Sequence, residues 1–336
     1  MYPFHFRPLF QRYIWGGHKL SRILSKPTGL DAAAESWEIA DHDQFQSIVE
    51  NGSLTGKTLG ELMQTYGSEI VGAKAFDFIH QQNVPDNLRG RFPLLLKYLD
   101  AHENLSVQVH PNDNLAANLP TADLGKTEAW YVMHAEPGAR IYAGLKQGVS
   151  PSDFQSALQK QAILEILHSF EPKVGDCIFI PAGTVHAIGA GLLIAEIQQA
   201  SNTTFRVYDW DRIDATGNAR PLHTEQATQA IDFSAGPVNP ESPQTTHHSN
   251  KTILIDCEKF CIHRWSTQTK PAIVEIGFES SFHALMVTQG SIKLLNTDRP
   301  ETIEMGQTVL LPAALQSTTI ELQPESEFLQ IFLPED

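Results

Sequence analysis

The stretch GDCIFIPAGTVHAI, residues 175–188, reads as a glycine turn, a short apolar strand, a Pro-Ala-Gly turn and a second strand opening on His186. Further along, GQTVLLPAALQSTT, residues 306–319, repeats it: Gly, five residues, Pro, then Ala. The residues upstream repeat as well, AWYVMHAEPGARI from Ala129 against ALMVTQGSIKL from Ala284. Two similar β units, each ending in a strand and a proline turn, imply two related barrels. The copies differ where chemistry would sit. The first has His186 and the second has Ser317 in its place, so the first barrel is expected to carry the function.

Working outward, most of the chain consists of short β-rich runs between Gly and Pro, such as FPLLLKYLDA, LSVQVH, EAWYVMHA, LLIAEIQQ and TILIDCEKFCIHRW. The expected fold is therefore dominated by β-structure, with a few covering helices. Thr58 with Glu61 three residues later forms a capping box ahead of a helix over 58–72. Ser150-Pro151 opens a second helical pattern over 150–170, and residues 223–233 form a third. Residues 234–250 are rich in Pro and Ser and contain His247-His248, expected in a solvated loop. These features divide the chain into a catalytic domain at 1–235, a linker at 236–250 and a degenerate second barrel at 251–336.

The 336 residues carry a formal net charge of -15 with 41% hydrophobic and 19% charged residues. No Lys/Arg run compensates the acidity, which argues against nucleic acid or an anionic membrane as partner. The N-terminus lacks the apolar core of a signal peptide, and no window is long and apolar enough to span a membrane. Cys177, Cys257 and Cys261 show no CxxC spacing, so a reducing cytoplasm is expected and any metal would need His, carboxylate or amide ligands.

Such ligands are at hand. The Gly-x5-Pro-x-Gly-x2-His spacing ending at His186 resembles the second motif of the cupin superfamily, in which that histidine binds a metal inside a jelly-roll barrel. In LSVQVH, the apolar residues Leu105, Val107 and Val109 alternate with Ser106, Gln108 and His110, which share the other face. Lys126 and Glu128 likewise share a face in GKTEAWYV. A barrel brings distant strands around one interior, so His110, Glu128 and His186 would form a set suited to zinc or another divalent ion. Gln108 is either a fourth ligand or a hydrogen-bonding support.

The motifs LSVQVHPND, GKTEAWYV and PAGTVHAIGAGLLIAEIQQASNTTFRVYDWDR, with the N-terminal WGGHKL and ESWEIAD, resemble the type I phosphomannose isomerases in their short bacterial form. They cover roughly residues 1–225 in the family's order. The resemblance implies two cupin barrels, one zinc ion per chain on Gln108, His110, Glu128 and His186, and an active-site arginine at Arg206. It implies interconversion of mannose 6-phosphate and fructose 6-phosphate through an enediol. Lys126, Glu196 and a zinc-bound water are the candidate bases. Ser106, Lys97, Lys126 and Arg206 are the candidate contacts for the phosphorylated substrate. The chain departs from the usual cupin H-x-H at Gln108 and lacks the long helical insertion of the larger enzymes, whose phosphate contacts therefore transfer poorly. Two other readings are a dioxygenase-like cupin, which would normally supply H-x-H, and a non-catalytic sugar-binding cupin, which would lack the ligands. A small-molecule partner is expected, for a monomer or a homodimer. YDWDR, residues 208–212, is read as an ion-paired loop, Trp15-Gly16-Gly17 as a packed turn, and His102, His134 and His168 as ordinary.

Overall fold

The computed structural model describes residues 1–43, 45–80, 84–213, 217–278, 280–296 and 300–334. Two β-sandwich barrels lie along the chain, and every strand pair in them is antiparallel. In the first, a six-stranded sheet has the order Cys177–Ile180, Glu128–Ala135, Leu192–Gln199, Leu94–Ala101, Glu35–Ile39, Leu9–Gln11. It faces a five-stranded sheet ordered Leu167–Phe170, Ile141–Leu145, His186–Ile188, Val107–Val109, Phe205–Tyr208. The second barrel repeats the large sheet strand for strand as Thr308–Leu311, His283–Gln289, Glu327–Phe332, Cys261–Ser266, Lys251–Asp256, Gln244–Thr245. The repeat seen in the sequence is thus a repeat of topology. This is the cupin fold.

Alternation along the strands of the two large sheets sorts most of their apolar side chains into three of the buried clusters. One face of each large sheet lines its own barrel: Trp130, Ile178 and Ile194 in the first, Leu285, Val309 and Phe328 in the second. The opposite faces pack against each other, so Leu96, Tyr98 and Ile197 share one cluster with Ile262, Ala284 and Ile331. Phe92 and Phe282 meet across this seam with ring centroids 4.5 Å apart. The N-terminus stitches the barrels together, because Phe4 and His5 pair with Leu310 and Val309 of the second sheet. Segment 234–250 runs along the first barrel, with Val238 N–H donating to Ala143 O and Glu241 N–H to Cys177 O. At Gly144, φ is +79° and a Cβ would lie 2.1 Å from Gly236 O, so only glycine allows that approach.

The helix Leu59–Val71 carries the expected capping box of Thr58 and Glu61. A second capping box, Ser150 with Asp153, starts Pro151–Gln159. That helix is shorter than the 150–170 pattern suggests. It ends at Gln159, Gln161 adopts φ 55°, and Leu167–Phe170 becomes a strand paired with Ile141–Leu145. An edge position on the small sheet satisfies that backbone in a way the amphipathic pattern cannot reveal. The third helix is Thr224–Ala230. Among the described residues, no helix is long and apolar enough to cross a membrane.

Candidate active site

Three adjacent strands of the small sheet place three side chains in a row. Gln108 is paired with His186 on one side and with Arg206 on the other. Glu128 opens its strand on the facing sheet, and His110 lies two residues after Gln108, just past the end of that strand. Ligand atoms of His110, Glu128 and His186 all lie within 4.8 Å of one another, and the three residues are buried.

The protonation states follow from the hydrogen bonds. His110 Nδ1 lies 2.9 Å from Thr203 O, and His186 Nδ1 lies 2.9 Å from Thr184 O. A carbonyl can only accept, so each Nδ1 carries the proton and each Nε2 presents a lone pair. Those lone pairs point at Glu128, with His186 Nε2 3.3 Å from Oε1 and His110 Nε2 3.5 Å from Oε2. Both carboxylate oxygens are buried without a well-formed hydrogen bond, although the Lys126 ammonium stands 3.0 Å from Oε2. Lone pairs facing an unpaired carboxylate repel unless a cation lies among them. This donor set therefore fits a divalent metal ion. Burial, with the nearby Lys126 charge, pushes the His110 imidazole well down and His186 to about 4. Burial also lifts Glu128 to about 7 against the pull of Lys126. A bound cation would favour the ionised carboxylate and the neutral imidazoles together.

Gln108 completes the group. Its Nε2 lies 3.2 Å from His186 Nε2 and 3.5 Å from His110 Nε2, and its Oε1 accepts from the Ser106 hydroxyl at 3.1 Å. Turning the amide by 180° would present Oε1 to a metal instead.

Above these residues opens a cleft of about 280 Å³ lined by Lys97, Ser106, Lys126, Trp130, Glu196, Arg206 and Arg220, among others. All nine residues singled out from the sequence thus lie at one locus, although their settings differ. Lys97 is buried between Glu196 (3.2 Å) and Glu35 (3.5 Å), with its ammonium 4.9 Å from the centre of the Trp37 ring. Burial opposes both charges, yet the two carboxylates raise the Lys97 pKa, and Lys97 and Lys126 lower that of Glu196. Trp130 Nε1–H donates to Glu196 at 3.1 Å. Arg206 is half-buried, donates to Pro221 O at 2.9 Å, and has no hydrogen-bond partner for its Nε among the described residues.

Three participants were missed in the sequence. Arg220 faces the cleft beside Arg206 and is held by Asp209, which also binds Arg212. YDWDR is therefore the ion-paired loop expected, but its clamp reaches an arginine inside a polar loop with no motif of its own. Glu35 joins Lys97 from a neighbouring strand. Asp123 accepts from Ser201 Oγ, Thr203 Oγ1 and Asn202 N at 2.8, 2.6 and 3.2 Å, fixing the loop whose carbonyl holds His110. Only the quoted ESWEIAD motif hinted at any of the three.

The fold and this centre define a bicupin whose first barrel holds a donor set suited to a metal ion. Residues 4–131 match the family model for the catalytic domain of type I phosphomannose isomerase. Mannose-6-phosphate isomerase ManA of Bacillus subtilis is 34% identical over 329 residues, covering 95% of this chain and 96% of that protein. The mannose-6-phosphate isomerase of Streptococcus mutans is 33% identical over 78% of each chain. A crystal structure of the mannose 6-phosphate isomerase from Bacillus subtilis superposes with a TM-score of 0.86 at 29% identity, covering 99% of this chain and 100% of that one. The chain belongs to the type I phosphomannose isomerases, and it is an isomerase.

Proposed function

We propose that this isomerase interconverts D-mannose 6-phosphate and D-fructose 6-phosphate through a cis-enediol, using one zinc ion held by His110, Glu128, His186 and Gln108. The observation that carries this reading is the convergence of two imidazole lone pairs and the buried Glu128 carboxylate at the head of the cleft. Zinc bound there would polarise the oxygens at C1 and C2 as charge develops on the enediolate. The protein's part is to move one proton from C2 to C1 while a hydroxyl proton passes from O2 to O1. Lys126 and Glu196 are the groups placed for this, one beside Glu128 and one held ionised by Lys97. Arg206 and Arg220 supply fixed positive charge in an otherwise acidic chain, for the phosphate and the enediolate. Ser106 acts through Gln108, and Lys97 through Glu196, rather than as free phosphate contacts.

On this reading, residues 1–235 form the catalytic domain, 236–250 the connection, whose Gln244–Thr245 adds an edge strand to the second sheet, and 251–336 the rest of a non-catalytic barrel. The acidic surface and small-molecule cleft suit a cytoplasmic enzyme working as a monomer or homodimer. A dioxygenase-like role fits less well, because Gln108 stands where such cupins carry a histidine. The test is metal analysis with a coupled assay on mannose 6-phosphate. Chelation should abolish turnover, and zinc should restore it at one ion per chain. Full activity in metal-free protein would refute the zinc centre.

A further inference from the structure

The two large sheets can be matched residue by residue through their pairing registers. In the first barrel Glu128 lies opposite Ile180, Trp130 opposite Glu196, Glu196 opposite Lys97, and Leu99 opposite Glu35. In the second, His283 lies opposite Leu311, Leu285 opposite Gln330, Gln330 opposite His263, and Trp265 opposite Lys251. Even the register shift recurs, between Trp37 and Ile39 and again between Ile253 and Ile255. The floor quartet Glu35, Lys97, Glu196, Glu128 therefore corresponds to Lys251, His263, Gln330, His283. On the small sheet, Gln108 opposite His186 corresponds to Gly277 opposite Ser317.

The second barrel has Gly277 and Ser317 where the first has the donors Gln108 and His186, and beside its apolar core one end of its interior stays open and polar. A cavity of about 900 Å³ opens over the quartet, against about 280 Å³ over the catalytic one. Gly277 lines the larger cavity where the first barrel has Gln108. The charge pattern is also reversed. Three carboxylates and one ammonium become one ammonium, two imidazoles and an amide.

The polar groups of this floor are held in place. Gln330 accepts from Trp265 Nε1–H at 2.6 Å and donates from Nε2 to His283 Nδ1 at 2.8 Å. His283 must then carry its proton on Nε2, and no hydrogen bond to that atom is present among the described residues. His263 Nδ1 is buried without a hydrogen-bond partner among the described residues. The Lys251 ammonium stands 5.6 Å from the centre of the Trp265 ring and makes no ion pair among the described residues. Asp256 and Glu258 lie at the hairpin turn on the rim, with Ser280 and Ser281 beside them. The floor offers donors and a positive charge, whereas the rim offers acceptors and hydroxyls. A ligand with an anionic end and a hydroxylated end matches this division.

We infer that the second barrel is a binding site for a phosphorylated sugar, with the phosphate at Lys251, His263 and His283 and the hydroxyls at the rim. The site is separate from the metal centre and does not depend on it. Mannitol 6-phosphate is a suitable probe, because it lacks a carbonyl and cannot be isomerised. Calorimetric titration of the metal-loaded enzyme should give two equivalents per chain. Lys251→Glu and the milder Lys251→Met should each weaken one equivalent at least tenfold while leaving turnover of mannose 6-phosphate unchanged. His110→Ala should keep the Lys251-dependent equivalent. One equivalent in the wild type, or two undiminished equivalents in both Lys251 variants, would overturn the site. Inorganic phosphate binding as tightly as mannitol 6-phosphate would overturn the sugar assignment.

Discussion

Asp123→Asn tests whether the proposed metal centre is built from outside its ligands. Asp123 touches no ligand, yet one of its oxygens accepts from Ser201, Asn202 and Thr203, and Thr203 O receives the His110 Nδ1 proton. Burial disfavours the charge, but these donors and His42 hold the Asp123 carboxyl down at about 2. The isosteric amide keeps the shape and can keep one oxygen toward the three donors, but it removes the charge and sets its NH2 against the Leu124 N–H, from which the other oxygen accepts at 2.8 Å. Hydrogen bonds to a charged group contribute roughly 1.5–3 kcal/mol each, so the loop should loosen by about one such bond. Loss of the partner behind a ligating histidine typically lowers metal affinity ~10–100-fold, equivalent to about 1.4–2.8 kcal/mol. We expect the zinc affinity of Asp123→Asn, read by competition with a chromophoric chelator, to fall in that range. Thr203→Val removes only the hydroxyl bond and should fall at the low end. Zinc affinity within twofold of wild type, with His110→Ala strongly impaired in the same assay, would refute the coupling and leave Asp123 as a fold residue only.

Arg206→Ala should lower kcat about 10²–10³-fold, the usual cost of removing a charge-stabilising donor, with an unchanged urea midpoint; wild-type kinetics would remove Arg206 from the site. Phe282 is fully buried in the seam against Phe92, and Phe282→Ala should cost about 3–5 kcal/mol in urea unfolding, with both barrels melting together. A loss below about 1 kcal/mol there would mean that the seam collapses around the gap. Burial, with a smaller push from His263 and Lys251, drives His283 down to about 3, whereas an unfolded histidine titrates near about 6.5. Above that pH neither state is protonated and stability is complete. As pH falls from about 6.5 toward 3, the unfolded chain gains a proton that the folded one refuses, so stability is lost by up to about 1.4 kcal/mol per pH unit. His283→Gln should flatten that part of the stability–pH curve relative to wild type, and an unchanged slope would contradict the burial argument.

The fold was legible because its strongest signals are local and occur twice. Gly175 and Gly306 both adopt φ near 90°, and each precedes a strand ending at a proline turn, so the repeat records backbone geometry as well as composition. The Thr58–Glu61 capping box was legible for the same reason, since it is complete within four residues. The far end of the second helix was not. Residues 160–170 keep a helical spacing of apolar side chains, but their backbone finds partners in Ile141–Leu145, and nothing local announces that pairing.

The site divides along the same line. His110, Gln108 and His186 could be read because each sits in a motif where a polar residue breaks an apolar rhythm. Arg220, Glu35 and Asp123 act through partners far away in sequence, and each looks like surface charge in its own neighbourhood. Asp123 meets Thr203 eighty residues on, and Arg220 depends on Asp209 across a turn. The second barrel carries this further. Ser317 in place of His186 marks the loss of a metal donor, and read alone it suggests that the whole interior has lapsed. His263, His283 and Gln330 have no shared motif, and only strand register shows that they stand where Lys97, Glu128 and Glu196 stand in the first barrel. Loss of one ligand says which chemistry a duplicated barrel gave up. What it kept is decided by side chains that meet only after the sheet has formed.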